Sequence, residues 1–190
     1  MAQLFNLPTY LTLLRIACIP LLTIIFYLPW QYSNIACTVI FSLAGLTDWL
    51  DGYLARKMDL VTPFGAFLDP VADKLMVAVV LILLVQRHPD PYLTITAAII
   101  IGREITITSL REWMAELGKR AHIKVSRMGK WKTTLQMIAM GLLLYHDDLL
   151  GLPILHLGYG LLYVAAILTL WSMIQYLNAA FSVIDNKVQS

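Results

Sequence analysis

Six long apolar segments are the feature that most constrains how this chain can fold. They cover roughly residues 8–29, 34–55, 66–86, 91–113, 132–150 and 154–178. Each is close to the length of about 20 mostly apolar residues that a helix needs to cross a bilayer. We therefore predict an all-α integral membrane protein with six transmembrane helices, folded as one domain over residues 1–190.

The composition agrees with a membrane class. Of the 190 residues, 59% are hydrophobic and 14% are charged, whereas a soluble domain carries about 25% charge. Cys18 and Cys37 lie in apolar segments, so no disulfide framework is predicted. No basic region precedes the first apolar segment, and Arg15 interrupts it, so we expect no cleaved signal peptide.

Lysine and arginine are unevenly distributed between the predicted connections. Arg56 and Lys57 follow the second segment, and six further cations lie between residues 119 and 132, whereas the opposite side carries only Arg87. Basic connections face the cytoplasm, so both termini are expected there as well. Orientation accounts for part of this charge, and phosphate binding by several of these cations is the alternative.

Four aspartates lie where the second and third segments approach the same membrane surface. Asp48 and Asp51 are three residues apart, and Asp69 and Asp73 are four apart. On a helix each pair therefore shares a face, and the short connection lets the two faces meet. We predict that the four carboxylates converge just inside the cytoplasmic boundary of the membrane.

Carboxylates gathered at that depth require protons or cations nearby. Aspartate oxygens favour hard ions such as Mg²⁺, Mn²⁺ or Ca²⁺. Four carboxylates suffice for two metals, and paired metals suit phosphoryl transfer. Salt bridges to Arg56, Lys57 and Lys74 are the alternative.

Small residues accompany the aspartates. Gly52 and Ala55 lie on the Asp48 side of the second helix, four and seven residues further on. They leave a groove that either admits a bulky ligand or packs another helix. Gly65 is expected to turn the connection or to cap the third helix.

Together these residues resemble the signature of the CDP-alcohol phosphotransferase family. All eight fixed positions match, in the order Asp48-x₂-Asp51-Gly52-x₂-Ala55-Arg56-x₈-Gly65-x₃-Asp69-x₃-Asp73. Three further stretches are most similar to bacterial members that use glycerol 3-phosphate: NLPTYLTLLRIACIP, GREITITSLREW and KVSRMGKWKTTLQM.

The resemblance implies a reaction and a location. The phosphatidyl group of CDP-diacylglycerol would pass to the sn-1 hydroxyl of sn-glycerol 3-phosphate by direct displacement, and CMP would leave. The enzyme would be a homodimer in a bacterial inner membrane, with its active site facing the cytoplasm. An open groove between helices should admit the donor's acyl chains.

The resemblance also implies roles for individual residues. Two divalent cations, Mg²⁺ or Mn²⁺, would be held by Asp48, Asp51, Asp69 and Asp73, and Asp73 would also be the general base. The cytidine nucleotide would contact Asp48, Gly52, Ala55, Arg56 and Gly65.

The acceptor phosphate needs cations beside this site. Arginine suits bidentate phosphate binding, and lysine supplies a point charge. The candidates are Arg111, Arg127, Lys132, Arg103, Lys130, Arg15 and Thr9. Pairing with Glu104 is the alternative for Arg103, and packing or snorkelling is the alternative for Arg15.

Two other functions are weighed against this one. A sibling transferase could use inositol phosphate, serine or phosphatidylglycerol as acceptor, because the signature is shared. A cation transporter would distribute its acids along the membrane depth, whereas here they gather at one face.

Overall fold

The computed structural model describes residues 7–58, 62–116 and 127–188. Within these ranges the chain forms six α-helices and no strands, which confirms the predicted all-α class. The helices are α1 Leu7–Tyr27, α2 Ser33–Met58, α3 Pro63–Arg87, α4 Pro91–Glu116, α5 Arg127–Tyr145 and α6 Ile154–Val188.

The largest differences from the predicted segments are the position of α5 and the end of α6, which continues to Val188 instead of residue 178. The helix α5 begins and ends five residues earlier than the predicted segment 132–150. Its end coincides with His146, which has a φ of 66°. Leu150 and Gly151 also have positive φ, in a tight turn closed by hydrogen bonds between Leu149 and Leu152. Left-handed backbone cannot continue a helix, so this turn fixes the boundary between α5 and α6.

Three helices are long and apolar enough to cross a membrane on composition alone. Among the described residues these spans are Thr9–Tyr27, Pro91–Glu116 and Ile154–Asn178. Among the described residues, α2 contributes a shorter apolar segment, Ser33–Asp48. Large apolar side chains such as Ile82, Ile105 and Ile167 are more than half exposed, which suits a surface in contact with lipid. The chain is a membrane protein.

The six helices form a closed ring. Its order is α1, α2, α5, α6, α4 and α3, with α3 packed again on α1 and also touching α5. The apolar core includes Phe41, Leu81, Leu84, Met140 and Leu143. The end of the ring that carries Asp48, Asp69 and Asp73 is called the acidic end. It is built from the first halves of α1, α3 and α5 and the second halves of α2, α4 and α6.

The start of α3 is fixed by local chemistry. Thr62 has an extended backbone and accepts a hydrogen bond from the Gly65 amide at 3.0 Å, so it is the N-cap. Pro63 occupies the first turn, where its fixed φ and missing amide hydrogen are tolerated. Asp69 and Asp73 follow in the second and third turns of the helix that begins at this cap.

Candidate functional site

One face of α1 carries three buried polar side chains at the acidic end. Thr9, Thr12 and Arg15 are only 1%, 0% and 2% exposed. Their spacing of three places them along the same side of the helix. The Oγ1 atoms of Thr9 and Thr62 are 3.2 Å apart, and Thr12 donates a hydrogen bond to Asp69. We call these three residues the α1 polar strip.

Arg15 joins two aspartates from different helices. Its Nη1 atom donates to Asp48 Oδ1 on α2 at 2.9 Å, and the same nitrogen donates to Asp73 Oδ1 on α3. The two carboxylate oxygens are therefore neighbours. The side chains of Asp48 and Asp73 are 46% and 45% exposed, so both remain accessible from outside the ring.

Three of the four signature aspartates thus lie along the α1 polar strip. Asp69 is one helical turn before Asp73 and accepts from Thr12. Asp51 lies in α2, one turn after Asp48, but its side chain is outside the described part of the structure. The same holds for the side chains of the predicted nucleotide contacts Ala55 and Arg56 and for the surroundings of Gly52.

Gly65 lies where α1 approaches the start of α3. A Cβ atom at this position would be 2.9 Å from Thr62 Oγ1 and 3.1 Å from Thr9 Oγ1. The close approach of the two helices therefore gives a packing reason for glycine here. Its predicted contact with a nucleotide remains a prediction.

The counter-ion in the structure is not one that the sequence indicated. Among the expected partners, Lys74 donates to Thr108 of α4, and the side chains of Arg56 and Lys57 lie outside the described residues. Arg15 comes from a different helix, 33 and 58 residues away from its partners. The sequence did contain a signal for this role. Arg15 follows Thr9 and Thr12 at steps of three residues, and it is charged in an otherwise apolar helix.

A second group of cations lies on α4 and α5. Lys132 is 4% exposed, and its Nζ has no hydrogen-bond partner in the described part of the chain. It interacts electrostatically with Arg103, Glu104 and Arg111, so these groups share one region. Arg103 pairs with Glu104, which is the alternative that the sequence offered for it. The Nε atom of Arg103 is buried without a hydrogen-bond partner in the described ranges.

Arg111 is the exposed member of this cationic group among the described residues. Its Nε donates to the Tyr176 hydroxyl on α6 at 3.1 Å, and its side chain is exposed. Arg127 and Lys130 lie in the first turn of α5, with side chains outside the described residues. The described cations thus face the acidic end from the α4 and α5 side of the ring.

The chemistry of the donor set suits a hard divalent cation. Asp48, Asp69 and Asp73 offer only carboxylate oxygens, which Mg²⁺ and Mn²⁺ prefer. Among the described residues, no group of three or more acids, histidines or cysteines is close enough to hold a metal by itself. Asp51 is not counted among these acids, because its side chain is not described.

The fold and this site define an all-α membrane protein that gathers acids and cations at one end of a helix ring. Such a constellation is typical of a protein that binds phosphate groups through metal ions. The chain belongs to the CDP-alcohol phosphatidyltransferase family, whose model matches residues 5–171. The family resemblance read from the signature is confirmed.

Several bacterial proteins are similar to this chain over nearly its whole length. One from Haemophilus influenzae is 54% identical over 184 residues, covering 96% of this chain and 97% of the relative. Others from Pectobacterium atrosepticum and Escherichia coli K12 are 52% and 51% identical over 176 residues, covering 93% of this chain and 95% of each relative. All three are named CDP-diacylglycerol--glycerol-3-phosphate 3-phosphatidyltransferase.

Proposed function

We propose that this chain is a transferase that moves the phosphatidyl group of CDP-diacylglycerol to sn-glycerol 3-phosphate, giving phosphatidylglycerophosphate and CMP. The observation that carries the proposal is the similarity to the Haemophilus influenzae protein of that activity, at 54% identity over 96% of this chain. The gathering of Asp48, Asp69 and Asp73 at one end of the ring supports the same chemistry.

The reaction proceeds by direct displacement at the β-phosphorus of the donor. The sn-1 oxygen of the acceptor forms a bond to that phosphorus, and the bond to the bridging oxygen breaks with release of CMP. Asp73 takes the proton from the attacking hydroxyl, and its half-exposed side chain supports this role. Two divalent cations are assigned to Asp48, Asp51, Asp69 and Asp73. The chemistry that bound Mg²⁺ or Mn²⁺ would supply there is neutralisation of phosphate charge.

The nucleotide of the donor is assigned to the α2 side of the site. Asp48, Gly52, Ala55 and Arg56 follow one another along the last turns of α2. Small side chains at two of these positions let a base approach the helix backbone, and the arginine suits the pyrophosphate. Gly65 completes the set that the family signature indicates.

The acceptor phosphate is assigned to the cations of α4 and α5. A buried ammonium without a hydrogen-bond partner is unfavourable in a low-dielectric interior. Lys132 is in that situation within the described part of the chain, and Arg103 has a buried Nε atom without a partner there. A phosphate dianion would satisfy both, with Arg111, Arg127 and Lys130 nearby. Arg15 and Thr9 are the less favoured candidates, because they contact Asp48, Asp73 and Thr62.

An apolar groove between α2 and α5 is assigned to an acyl chain of the donor. Its volume is about 590 Å³, and on α2 it begins at Leu46, two residues before Asp48. It continues along α5 past Gly141 towards Tyr145, so a chain attached to a headgroup at the acidic end could follow it into the membrane. The groove is lined in part by Thr38, Phe41, Gly45, Met137, Gly141 and Tyr145.

The topology and assembly are part of the same proposal. The basic residues near the acidic end support a cytoplasmic orientation of that end in a bacterial inner membrane. The closed ring supports a single domain over residues 1–190. A homodimer follows from the family resemblance, and chemical cross-linking in native membranes tests it.

One experiment tests the activity and the acceptor together. Purified protein is incubated with labelled CDP-diacylglycerol, Mg²⁺ or Mn²⁺, and a panel of acceptors. We expect CMP release and a phosphatidyl product with glycerol 3-phosphate, and neither in the presence of a chelator. Preferential turnover of serine, inositol phosphate or phosphatidylglycerol would contradict the proposed acceptor but preserve the proposed chemistry.

A further inference from the structure

Arg15 is buried against the acidic end of the ring rather than exposed to a substrate. Its side chain is 2% exposed, and one guanidinium nitrogen contacts both Asp48 and Asp73. A buried guanidinium remains charged and needs anionic partners. Here the partners are two of the carboxylates assigned above to divalent cations, so a fixed internal cation lies on one side of that cluster.

We infer that Arg15 is a positioning residue, an internal counter-ion that balances Asp48 and Asp73 and orients them before a divalent cation binds. Two carboxylates that meet at one nitrogen repel each other strongly at a low-dielectric boundary. The charge of Arg15 offsets this repulsion, and the two hydrogen bonds from its Nη1 atom hold one oxygen of each acid at that nitrogen. Thr12 holds Asp69 through a hydrogen bond from its neutral hydroxyl group.

This role differs from the binding of an acceptor phosphate. A residue that binds the acceptor affects the KM for glycerol 3-phosphate, whereas a residue that orients the carboxylates affects kcat and the response to metal. The cations of α4 and α5 form a separate group around Lys132. The kinetic part of this inference rests on the proposed function, but its stability part does not.

The central experiment compares the thermal midpoint of detergent-solubilised protein in a chelator and in graded MgCl₂. Arg15→Met should lower the midpoint most without metal, because Mg²⁺ can replace the missing positive charge. The Mg²⁺-induced shift should therefore be larger in Arg15→Met than in the unmodified protein. Arg15→Lys keeps the charge and should behave more like the unmodified protein. An Mg²⁺-induced shift in Arg15→Met equal to that of the unmodified protein would overturn the inference.

A matched control is available at the other end of the ring. Arg87 lies 3.8 Å above the Phe26 ring and donates to Asn34 Oδ1 at 2.7 Å, at the end of the ring opposite Asp48, Asp69 and Asp73. Arg87→Met should lower the midpoint by the same amount with and without Mg²⁺.

If Arg15→Met is not recovered from membranes, the double variant Arg15→Met with Asp48→Asn should be, because it removes one negative charge as well. Failure to recover the double variant would also contradict the counter-ion role.

The kinetic arm separates the two roles proposed for Arg15. In Arg15→Met at saturating Mg²⁺, kcat should fall on the order of ten- to a hundredfold, as expected for misplaced reacting groups. The KM for glycerol 3-phosphate should stay unchanged. A higher KM with unchanged kcat would instead assign Arg15 to the acceptor phosphate. If the unmodified protein shows no turnover with glycerol 3-phosphate, the proposed function fails, while the thermal comparison still decides the role of Arg15.

Discussion

The imidazole rings of His88 and His146 stack at the end of the ring opposite the aspartates, with centroids 4.9 Å apart and planes inclined by 26°. His88 caps the end of α3, and His146 follows α5, so the pair joins two helices. His88 Nε2 and His146 Nδ1 are both buried without a hydrogen-bond partner in the described ranges. A positive charge on His88 is unfavourable here, because the ring is partly buried and lies beside His146 and Arg87.

Acidification should therefore destabilise the protein through His88. Burial lowers the pKa of His88 below its usual range, and the nearby His146 and Arg87 lower it further. The folded state then binds fewer protons than the unfolded state, so stability is complete above a pH of about 6.5 and falls as the pH decreases below it. We expect the thermal midpoint to decrease between pH 7.5 and 5.5.

Two variants isolate the contribution of His88. His88→Phe keeps an aromatic ring but cannot titrate, so its midpoint should depend less on pH over the same interval. His156 is exposed on α6, and His156→Phe should retain the full pH dependence. Identical pH profiles for the unmodified protein and His88→Phe would show that other groups control acid stability.

The helices were predictable from the sequence because each satisfies its backbone hydrogen bonds internally, so long apolar segments are enough to indicate them. Their ends were less predictable. The boundary between α5 and α6 depends on backbone angles at His146 and Leu150, residues that seldom adopt positive φ. Asp147, Asp148, Gly151 and Pro153 mark a connection in this region, but they do not indicate the residue at which α5 ends.

The acidic end was predictable in part. Helical spacing and a short connection indicated that the aspartates of α2 and α3 would approach each other. Arg15 and Thr9 of α1 were expected near this site as phosphate-binding candidates. The contacts of Thr12 and Arg15 with Asp69 and Asp73, 57 and 58 residues away, were not predictable. Contacts of that range depend on how whole helices pack, and the pattern of one helix does not encode them.

Substitution of Gly65 by alanine should destabilise the protein. The added methyl group would lie 2.9 Å from Thr62 Oγ1, so the cap of α3 must move. Loss of an N-cap hydrogen bond costs about 1 kcal/mol. The matched control is Gly102→Ala in α4, where the Cβ would have no neighbour within 4 Å in the described structure. Alanine is the better helix former there, so the control should be neutral or stabilising. We expect the thermal midpoint to decrease in Gly65→Ala and to stay equal or increase in Gly102→Ala. An unchanged midpoint in Gly65→Ala would contradict this account.

Substitution of Lys132 by methionine should separate stability from activity. Removal of a buried charge without a described hydrogen-bond partner should raise the thermal midpoint. If Lys132 binds the acceptor phosphate, the KM for glycerol 3-phosphate should rise on the order of ten- to a hundredfold, as expected for a charged hydrogen bond. The KM for CDP-diacylglycerol should stay unchanged.

A partnered lysine provides the comparison for stability. Lys74 donates to Thr108, so Lys74→Met should lower the thermal midpoint rather than raise it. If Lys132→Met leaves the KM for glycerol 3-phosphate unchanged, the phosphate site lies elsewhere.

Substitution of Gly141 by phenylalanine should fill the groove between α2 and α5. A Cβ at Gly141 would have no neighbour within 4 Å among the described residues, so the variant should fold. The kcat/KM for donors with long acyl chains should fall about tenfold, and short-chain donors should be much less affected. Gly160→Phe on α6, also with open space at its Cβ, should affect neither donor. An equal loss for both donor lengths would exclude the groove as an acyl-chain site.

Replacement of Asp73 by asparagine should abolish most turnover while the protein remains folded. The amide keeps an oxygen that can accept from Arg15 and contact a metal, but it cannot take the proton of the attacking hydroxyl. Loss of a general base lowers kcat by about 10²–10⁴-fold. CMP release at saturating substrates measures this loss, and raising Mg²⁺ should not restore it. Asp48→Asn is the comparison, because a variant weakened only in metal binding should recover part of its activity at high Mg²⁺. Normal turnover in Asp73→Asn would remove Asp73 as the base, and full recovery at high Mg²⁺ would limit its role to metal binding.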